Sequence, residues 1–253
     1  MAGPAGVLES IERRVIACER CPELREYCAR VAREKRRAYL DVEYWGKPVP
    51  AFGDPDARVL FVGLAPGAHG SNRTGRTFTG DASGDFLYPA LYRAGFASQP
   101  NATGRDDGMH LHDCLISAAG RCAPPGNKPT PAQLRNCFSY LLEEFDALPG
   151  LRVGVGLGRI GYDAILKVLR ERGFALDPPR PKFGHGVESV ARRGDRSITA
   201  IGSYHPSRQN TNTGVLTAAM FDTVLLRTQA LLDAATDEAK RAERALRRGR
   251  RGR

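Results

Sequence analysis

The chain has 253 residues, 42% of them hydrophobic, which is enough for one sizeable core. It has no run of about 18 apolar residues and no apolar signal segment near its first residue, so we expect a cytoplasmic protein with no membrane partner. The formal net charge is +10, but residues 240–253 alone hold eight Lys or Arg and one Glu. We therefore predict a disordered basic tail over residues 238–253, which either binds nucleic acid through phosphate contacts or serves only solubility.

The hydrophobic pattern predicts strands that alternate with helices. In chain order the predicted elements are two helices within residues 6–38, an extended loop over 41–57, a strand at 59–64, a helix at 81–92, a polar turn region over 98–108, a strand at 111–117, a helix at 130–147, a strand at 152–157, a helix at 158–172, a loop over 174–186, strands at 187–191 and 197–204, and a helix at 213–235. Asp81 and Ser83 are suitable N-caps for the helix that begins there, and Pro131 suits the first turn of the next helix. This alternation indicates an α/β fold with a central, largely parallel sheet covered on both faces.

The loop after the first predicted strand carries the richest set of side chains. Residues 59–81 read VLFVGLAPGAHGSNRTGRTFTGD. The segment contains neither the G-x-x-x-x-G-K-[ST] nor the G-x-G-x-x-G pattern, which argues against a nucleotide-binding phosphate loop. A plain connecting loop is the simplest alternative, but long loops in compact domains are more often functional or disordered. The loop leaves the carboxyl end of a strand, where open α/β sheets bind ligands, so Phe78 and Asp81 suit a planar ligand that is stacked and attacked.

Six cysteines in a cytosolic protein indicate metal or redox chemistry rather than disulfides. Cys18 and Cys21 form a C-x-x-C pair, and a second, widely spaced pair follows at Cys122 and Cys137. Four thiolates can close a zinc site or an iron–sulfur cluster, and the proline-rich segment between the second pair favours the cluster only narrowly. Cys28 competes for a ligand position, whereas the cysteine at 114 is expected to be a buried strand residue.

The last predicted strand ends in a second polar segment. Residues 205–214 read HPSRQNTNTG. A lone histidine in a turn is ordinarily structural. His205 is a stronger candidate for a functional residue than a lone histidine would be. It also follows the carboxyl end of a strand, the proline after it restricts its turn, and the chain contains the polar loop at 59–81 as well.

These two polar segments together, Gly63–Asp81 and His205–Gly214, resemble motifs of the uracil-DNA glycosylase superfamily. The four-cysteine layout is similar to that of its iron–sulfur members, and among these the chain most resembles the type b enzymes, also called family five. The resemblance extends from about Cys18 to the final helix. It implies one domain over residues 1–237 with a three-layer α/β/α fold, whose N-terminal helices are tied by a [4Fe-4S] cluster. The implied cluster ligands are Cys18, Cys21, Cys122 and Cys137, which leaves Cys28 as a bystander.

The same resemblance implies three catalytic residues. The catalytic acid corresponds to Asp81, the motif histidine to His205, and a functional asparagine of the C-A-P-P-x-N segment to Asn127. Most of the superfamily has an acidic or polar side chain directly after the first strand, where this chain has Gly63-Leu64-Ala65. That departure is itself typical of type b and accompanies broad specificity, which extends to hypoxanthine.

The reaction implied by the resemblance is hydrolysis of the N-glycosidic bond of a deaminated base that has been flipped out of the DNA stack. We expect base contacts from Gly63, Leu64, Ala65, His69 and Phe78. We expect DNA contacts from Arg73, Ser207, Arg208, Gln209, Asn210, Thr211 and Asn212. The expected partner is double-stranded DNA, with single-stranded DNA left open, and the expected state is a nucleoid-associated monomer. Two alternatives are a non-catalytic iron–sulfur nucleic-acid-binding protein and a zinc-bound RNA- or nucleotide-processing enzyme.

Overall fold

A computed structural model describes residues 3–179 and 181–251, with side chains as far as Asp237. The described residues form seven strands: β1 (Phe52–Gly53), β2 (Val59–Gly63), β3 (Cys114–Ala118), β4 (Val153–Leu157), β5 (Ala175–Asp177), β6 (Glu188–Arg193) and β7 (Arg196–Ser203). The helices are α1 (Pro4–Ile16), α2 (Pro22–Glu34), α3 (Ser71–Thr74), α4 (Ala82–Arg93), α5 (Pro131–Asp146), α6 (Arg159–Glu171), α7 (Arg208–Asn212) and α8 (Ala218–Arg251). Short 3₁₀ turns occur at Arg37–Tyr39 and Pro125–Asn127.

The strands make one mixed sheet in the order β1-β3-β2-β4-β7-β6-β5. The four inner strands β3, β2, β4 and β7 pair in parallel, whereas β1, β6 and β5 are antiparallel at the two edges. Every residue of β2, β3 and β4 is buried, as expected for parallel strands covered on both faces. The α/β prediction is therefore confirmed, and the predicted parallel arrangement holds for the inner strands only.

Helices cover both faces of the sheet because successive residues of β2 point to opposite sides. Phe61 packs in one apolar cluster with Leu87 of α4 and Phe221 of α8. Its neighbour Leu60 packs in a second cluster with residues of α5 and α6. The carboxyl ends of the parallel strands therefore meet at one edge between two helical layers.

Two predicted elements differ from the structure. The predicted loop over 174–186 contains β5, which pairs with β6 and buries only Leu176, so its three residues have too little pattern to be read locally. The predicted helix over 213–235 corresponds to α8, which begins only at Ala218 and continues to Arg251, whereas the short α7 ends before it at Asn212. The Thr217 hydroxyl accepts the Met220 N–H at 3.2 Å and so caps the start of α8.

The N-terminal helices α1 and α2 pack beside α5. Ile11 and Val15 of α1 are buried against Tyr140, whose hydroxyl donates to the Arg14 carbonyl at 3.2 Å. None of the described helices is long and apolar enough to cross a membrane. The backbone of residues 238–251 continues α8, and their side chains and residues 252–253 lie outside the described part of the chain, so the predicted disorder of residues 238–253 stays a prediction.

Candidate active site

A cavity of about 600 Å³ opens at the carboxyl ends of the parallel strands. Four segments from three separate parts of the chain supply most of its lining: the start of the loop after β2, the end of the same loop with the first turn of α4, the 3₁₀ turn before α5, and the segment after β7. The sequence motifs therefore converge on one space. Its lining residues include Leu64, Ala65, Pro66, Gly67, Thr77, Phe78, Asp81, Ser83, Asn127, His205, Ser207, Arg208 and Gln209.

The first loop is fixed where it leaves the sheet. The N–H groups of Ala119 and Gly120 donate to the carbonyls of Gly63 and Leu64 at 3.0 and 2.9 Å. These bonds extend the pairing of β2 and β3 beyond the strands. The backbone of residues 63–65 thus has a defined position at the base of the cavity, where Leu64 and Ala65 line it.

Asp81 both caps helix α4 and forms part of the cavity wall. Its Oδ1 accepts the N–H of Ser83 at 2.9 Å and of Gly84 at 3.4 Å, which confirms the predicted cap, whereas Ser83 is inside the helix. The other oxygen, Oδ2, lies against the loop backbone: a Cβ placed on Gly70 would be 2.0 Å from it. The carboxylate is therefore held between the helix terminus and a bare stretch of loop.

Phe78 and His205 form an aromatic wall of the cavity. Their ring centroids are 5.8 Å apart with the planes tilted by 32°. Phe78 is only half-buried, and its φ of 51° is unusual for a residue with a side chain. Its ring lies over Gly63, where a Cβ would come within 2.6 Å of the Phe78 ring. The ring therefore borders the cavity while it also packs against the core cluster that contains Phe61 and Leu87.

His205 is a neutral imidazole at pH 7, because burial lowers its pKa to about 4. The Asn210 side-chain amide donates to the His205 carbonyl at 2.9 Å. Ser207 caps α7 by accepting the Asn210 N–H at 3.4 Å. The short helix after the histidine is thus built from its own polar residues, and His205 has a fixed position.

The remaining predicted residues of this segment differ in exposure. Arg208 and Gln209 are exposed and line the cavity, at the tip of the segment. The Thr211 hydroxyl donates to the Ser207 carbonyl at 3.1 Å, and Asn212 is exposed. Arg208 and Gln209 are therefore the best placed to meet a large partner that covers the cavity.

Asn127 projects from the turn between β3 and α5. It is exposed, has a left-handed φ of 57°, and lines the cavity. Among the described residues its side-chain amide has no hydrogen-bond partner, so its donor and acceptor face outward. It joins Asp81 and His205 at the same cavity although 46 and 78 residues of chain separate it from them.

Two predicted site residues turn away from the cavity lining. The His69 ring contacts Tyr44, with 3.1 Å between Nδ1 and the Tyr44 hydroxyl, and burial and nearby arginines lower its pKa. Arg73 donates to the carbonyls of His69 and Gly80 at 2.8 and 2.7 Å. Its guanidinium therefore braces the loop from inside, and a base contact from His69 or a DNA contact from Arg73 has no support in this arrangement.

The cavity also contains residues that the sequence did not single out. Arg36, exposed just after α2, lines it, as do the buried Ser71 and Thr77. The Thr77 hydroxyl is buried without a partner among the described residues. Arg36 had no local signal in a chain with 38 Lys and Arg, and a buried threonine is not distinguishable by composition.

Two buried ion pairs support the loops around the cavity. Arg76 pairs with Asp107, and their side chains are only 2% and 9% exposed. Burial alone would raise the pKa of Asp107, but the Arg76 guanidinium and two backbone N–H groups hold it well below its usual value. Arg121, next to Cys122, donates to Glu144 at 2.7 Å, with both side chains 1% exposed.

The cysteines lie in one region between α2, α5 and the segment after β3. Cys21 and Cys122 share a buried cluster, and Cys18 packs against the cluster of Val15 and Tyr140. Burial raises the pKa of Cys137, and the nearby Cys21 and Cys18 thiols add to the shift. Cys28 is in the same region, where its Sγ donates to the Ala123 carbonyl at 3.6 Å.

The donor atoms that the four predicted ligands offer in this region are all thiol sulfurs. All four predicted ligands are free thiols. The described residues contain no group of three or more His, Cys, Asp or Glu side chains close enough together to hold a metal ion. Cys114 is separate from them, buried at the start of β3 as predicted.

Comparison with known proteins places this arrangement among DNA-repair enzymes. A model of the Uracil DNA glycosylase superfamily matches residues 50–229. The chain is 48% identical over 223 residues to the Type-5 uracil-DNA glycosylase of Thermus thermophilus, covering 88% of this chain and 97% of that protein. It is 43% identical over 225 residues to that of Mycobacterium tuberculosis, covering 88% and 81%. It is 43% identical over 227 residues to that of Pyrobaculum aerophilum, covering 90% and 94%.

Proposed function

The chain belongs to the uracil-DNA glycosylase superfamily and is a glycosylase hydrolase, and from that premise we propose that it excises uracil from DNA and leaves an abasic site. The observation that carries the proposal is the convergence of Phe78, Asp81, Asn127 and His205 on one cavity of about 600 Å³. This volume suits one flipped nucleotide, which a glycosylase must bring out of the duplex.

Recognition of the flipped base uses the aromatic wall and the fixed backbone. Phe78 stacks on one face of the ring, since its half-exposed face borders the cavity. The backbone at Leu64 and Ala65 lies at the base of the cavity and borders the edge of the base. Unstacking costs a few kcal/mol and costs least at a mismatch, so a U·G pair is the favoured substrate.

Bond cleavage leaves negative charge on the base and positive charge on the sugar. One residue stabilises each charge: His205 acts on the base and Asp81 on the sugar. The C1′–N1 bond breaks with its electron pair going to the base, whose oxygen becomes more negative. Neutral His205 donates a hydrogen bond to that oxygen through a ring N–H. The Asp81 carboxylate stabilises the positive sugar and orients the water whose oxygen bonds to C1′.

The water gives up one proton as it adds to C1′, and the departing base takes one up. Asn127 offers a donor and an acceptor from the opposite lining segment, where it contacts the water or the edge of the base. No protonated histidine is needed for this balance, because hydrogen bonding supports the charge on the leaving base. Hypoxanthine is a second substrate in this proposal, since the cavity wall at residues 63–65 has no side chain that selects one base edge.

DNA contacts come from the rim of the cavity. Arg208 and Gln209 fill the space of the flipped base or contact the minor groove, and Ser207, Thr211 and Asn212 lie beside them in position to meet phosphates. Because a flipped base is also presented by single strands, double- and single-stranded DNA are both expected to bind. A monomer suffices, since one chain lines the whole cavity.

We also propose that Cys18, Cys21, Cys122 and Cys137 hold a [4Fe-4S] cluster. Their free thiols and shared region support this assignment. When bound, the cluster supplies a covalent link between the N-terminal helices and the segment that carries Asn127. Cys28 is the matched control: Cys122→Ala is expected to abolish bound iron, whereas Cys28→Ala is expected to retain it, as measured by iron content and visible absorbance.

The decisive experiment is excision from a labelled duplex with one U·G pair, followed by alkali, beside the same duplex with hypoxanthine. An alkali-dependent nick from the wild type, lost in Asp81→Asn, supports a monofunctional glycosylase, and the two rates give the specificity. A folded, brown protein that binds the duplex without nicking it would favour a non-catalytic nucleic-acid-binding protein. A colourless zinc protein would contradict the cluster assignment.

A further inference from the structure

The turn that follows helix α2 has a fixed conformation. α2 ends at Glu34, and the next residue, Lys35, has a left-handed φ of 55° that is rare for a residue with a side chain. The Lys35 Nζ donates to the Leu40 carbonyl at 2.8 Å, and the Tyr39 N–H donates to the Arg36 carbonyl at 2.7 Å. These bonds close residues 35–40 into a compact turn, hereafter the α2 turn.

The α2 turn is attached to the loop after β2. The Arg73 guanidinium stacks over the Tyr39 ring at 4.0 Å from its centroid. The same guanidinium donates to the carbonyls of His69 and Gly80, on either side of the loop. Arg73 therefore holds the α2 turn in register with the loop that carries Phe78 and Asp81.

This attachment brings the cationic Arg36 to the cavity, with a second arginine, Arg37, next to it in the chain. Arg36 lines the cavity, and both Arg36 and Arg37 are exposed. Neither forms an ion pair with a described residue, whereas Arg33, one turn earlier, pairs with Glu26 at 2.8 Å. The charge of Arg36 contributes to the lowered pKa of His69, after burial. An uncompensated guanidinium at the cavity, followed directly in the chain by a second exposed one, is suited to an anionic partner.

We propose that Arg36 and Arg37 contact backbone phosphates of the DNA strand that carries the flipped nucleotide. The inference rests on the proposed function, because a flipped nucleotide brings its flanking phosphates to the mouth of the cavity. Guanidinium groups bind phosphate in a planar, bidentate geometry, and such contacts fix register without reading sequence. The α2 turn thus forms a second part of the DNA-binding rim, beside Arg208 and Gln209 of the segment after β7.

The test measures binding of the full chain to a duplex that contains a stable abasic-site analogue, by fluorescence anisotropy over a range of salt concentrations. The slope of log K against log [salt] is negative, and each lost phosphate contact should make it shallower by about 0.9. The double variant Arg36→Ala with Arg37→Ala should therefore make the slope shallower by about 1.8. Arg36→Lys with Arg37→Lys should keep most of the slope, because the charges remain. Arg170→Ala removes an exposed charge on α6, outside the cavity lining, and should leave the slope unchanged.

Single-turnover excision of uracil is measured in parallel, with thermal unfolding as the check on folding. The double Ala variant should lose affinity by more than it loses maximal rate at saturating enzyme. An unchanged salt slope in a folded double Ala variant, with wild-type excision intact, overturns the inference and leaves the proposed function standing. A loss of maximal rate at unchanged affinity also overturns it, because the arginines would then act inside the cavity. Absence of excision by the wild type contradicts the proposed function instead.

Discussion

The neutral state of His205 leads to a prediction with a defined size. Burial lowers its pKa to about 4, so at pH 7 about one molecule in a thousand carries the proton. Holding the imidazolium at pH 7 would cost about 4 kcal/mol, at ~1.36 kcal/mol for each of the three pH units. This cost of protonation offsets most of the extra stabilisation that a charged donor would give to the departing base. The neutral imidazole offers its N–H donor without that cost.

The perturbation is His205→Ala, assayed by single-turnover excision from a U·G duplex with enzyme in excess. Loss of one preorganised donor to the developing oxyanion should slow the chemical step by about 10²–10³-fold, or ~2.7–4 kcal/mol. Affinity for a duplex with an abasic-site analogue should change little, because the imidazole lies in the cavity wall rather than at its exposed rim.

The pH dependence then separates the two states of the histidine. The ratio of wild-type to His205→Ala rates isolates the contribution of the imidazole. If the neutral form acts, this ratio stays nearly constant from pH 5 to pH 8 and falls only as the pH approaches 4. A ratio that grows about tenfold for each unit of acidification would refute the neutral mechanism. A variant with wild-type rate would remove His205 from the chemistry altogether.

The same shift affects stability. The unfolded chain binds the His205 proton more tightly than the native protein, since the pKa falls from 6.5 to about 4 on folding. This group therefore costs no stability above about pH 6.5, and the free energy of unfolding declines as the pH drops from there towards 4. The decline attributable to His205 is at most about 3 kcal/mol, and it should be absent in urea titrations of His205→Ala.

Three further substitutions test the surrounding structure. Asp81→Asn should slow excision by about 10²–10⁴-fold with little change in melting temperature, because asparagine caps helices as well as aspartate does. If the melting temperature falls along with the rate of excision, Asp81 acts only as a helix cap. Gly63→Ala should lower the free energy of unfolding by about 1–3 kcal/mol and weaken uracil binding, because the new Cβ would come within 2.6 Å of the Phe78 ring. In a protein that already carries Phe78→Ala, the same substitution should have no effect on binding. Asp107→Asn should destabilise the protein by about 3–5 kcal/mol in urea, because it leaves Arg76 buried without a counter-charge, and a loss below about 1 kcal/mol would contradict the burial of the pair.

The parts of the site that were predictable have local signatures. The apolar run ending at Gly63 predicts a buried strand, and an aspartate at the start of α4 predicts its own role as a cap. Because both lie in one short segment, the position of Asp81 at the carboxyl edge of the sheet follows from the sequence. His205 was indicated by its place after the carboxyl end of the last inner strand, whereas the arrival of Asn127 at the same cavity has no local signature and was expected only from the resemblance.

The parts that were missed depend on contacts between distant segments. β5 exists because β6 pairs with it, and a single buried Leu176 leaves no pattern to detect. His69 shares a motif with Asp81, but its ring contacts Tyr44, 25 residues earlier, instead of the cavity. Arg36 reaches the cavity only because the left-handed Lys35 turns the chain back towards the loop. Composition cannot distinguish it from the other basic residues.

Two side chains of the first loop to which we assign roles in the proposed reaction, Asp81 and Phe78, are positioned against bare backbone. Any side chain at Gly70 would overlap the Asp81 carboxylate, because its Cβ would be 2.0 Å from Oδ2. Phe78 lies over Gly63 in the same way. In both places the glycine leaves room for a large or charged neighbour that is then confined by the loop itself. Such confinement fixes the carboxylate and the ring before substrate binds. Charges and dipoles that are already in place lower the energy barrier because they do not have to reorganise during the reaction. The glycines of this loop therefore determine where Asp81 and Phe78 can lie, and in this way they support the roles proposed for both side chains.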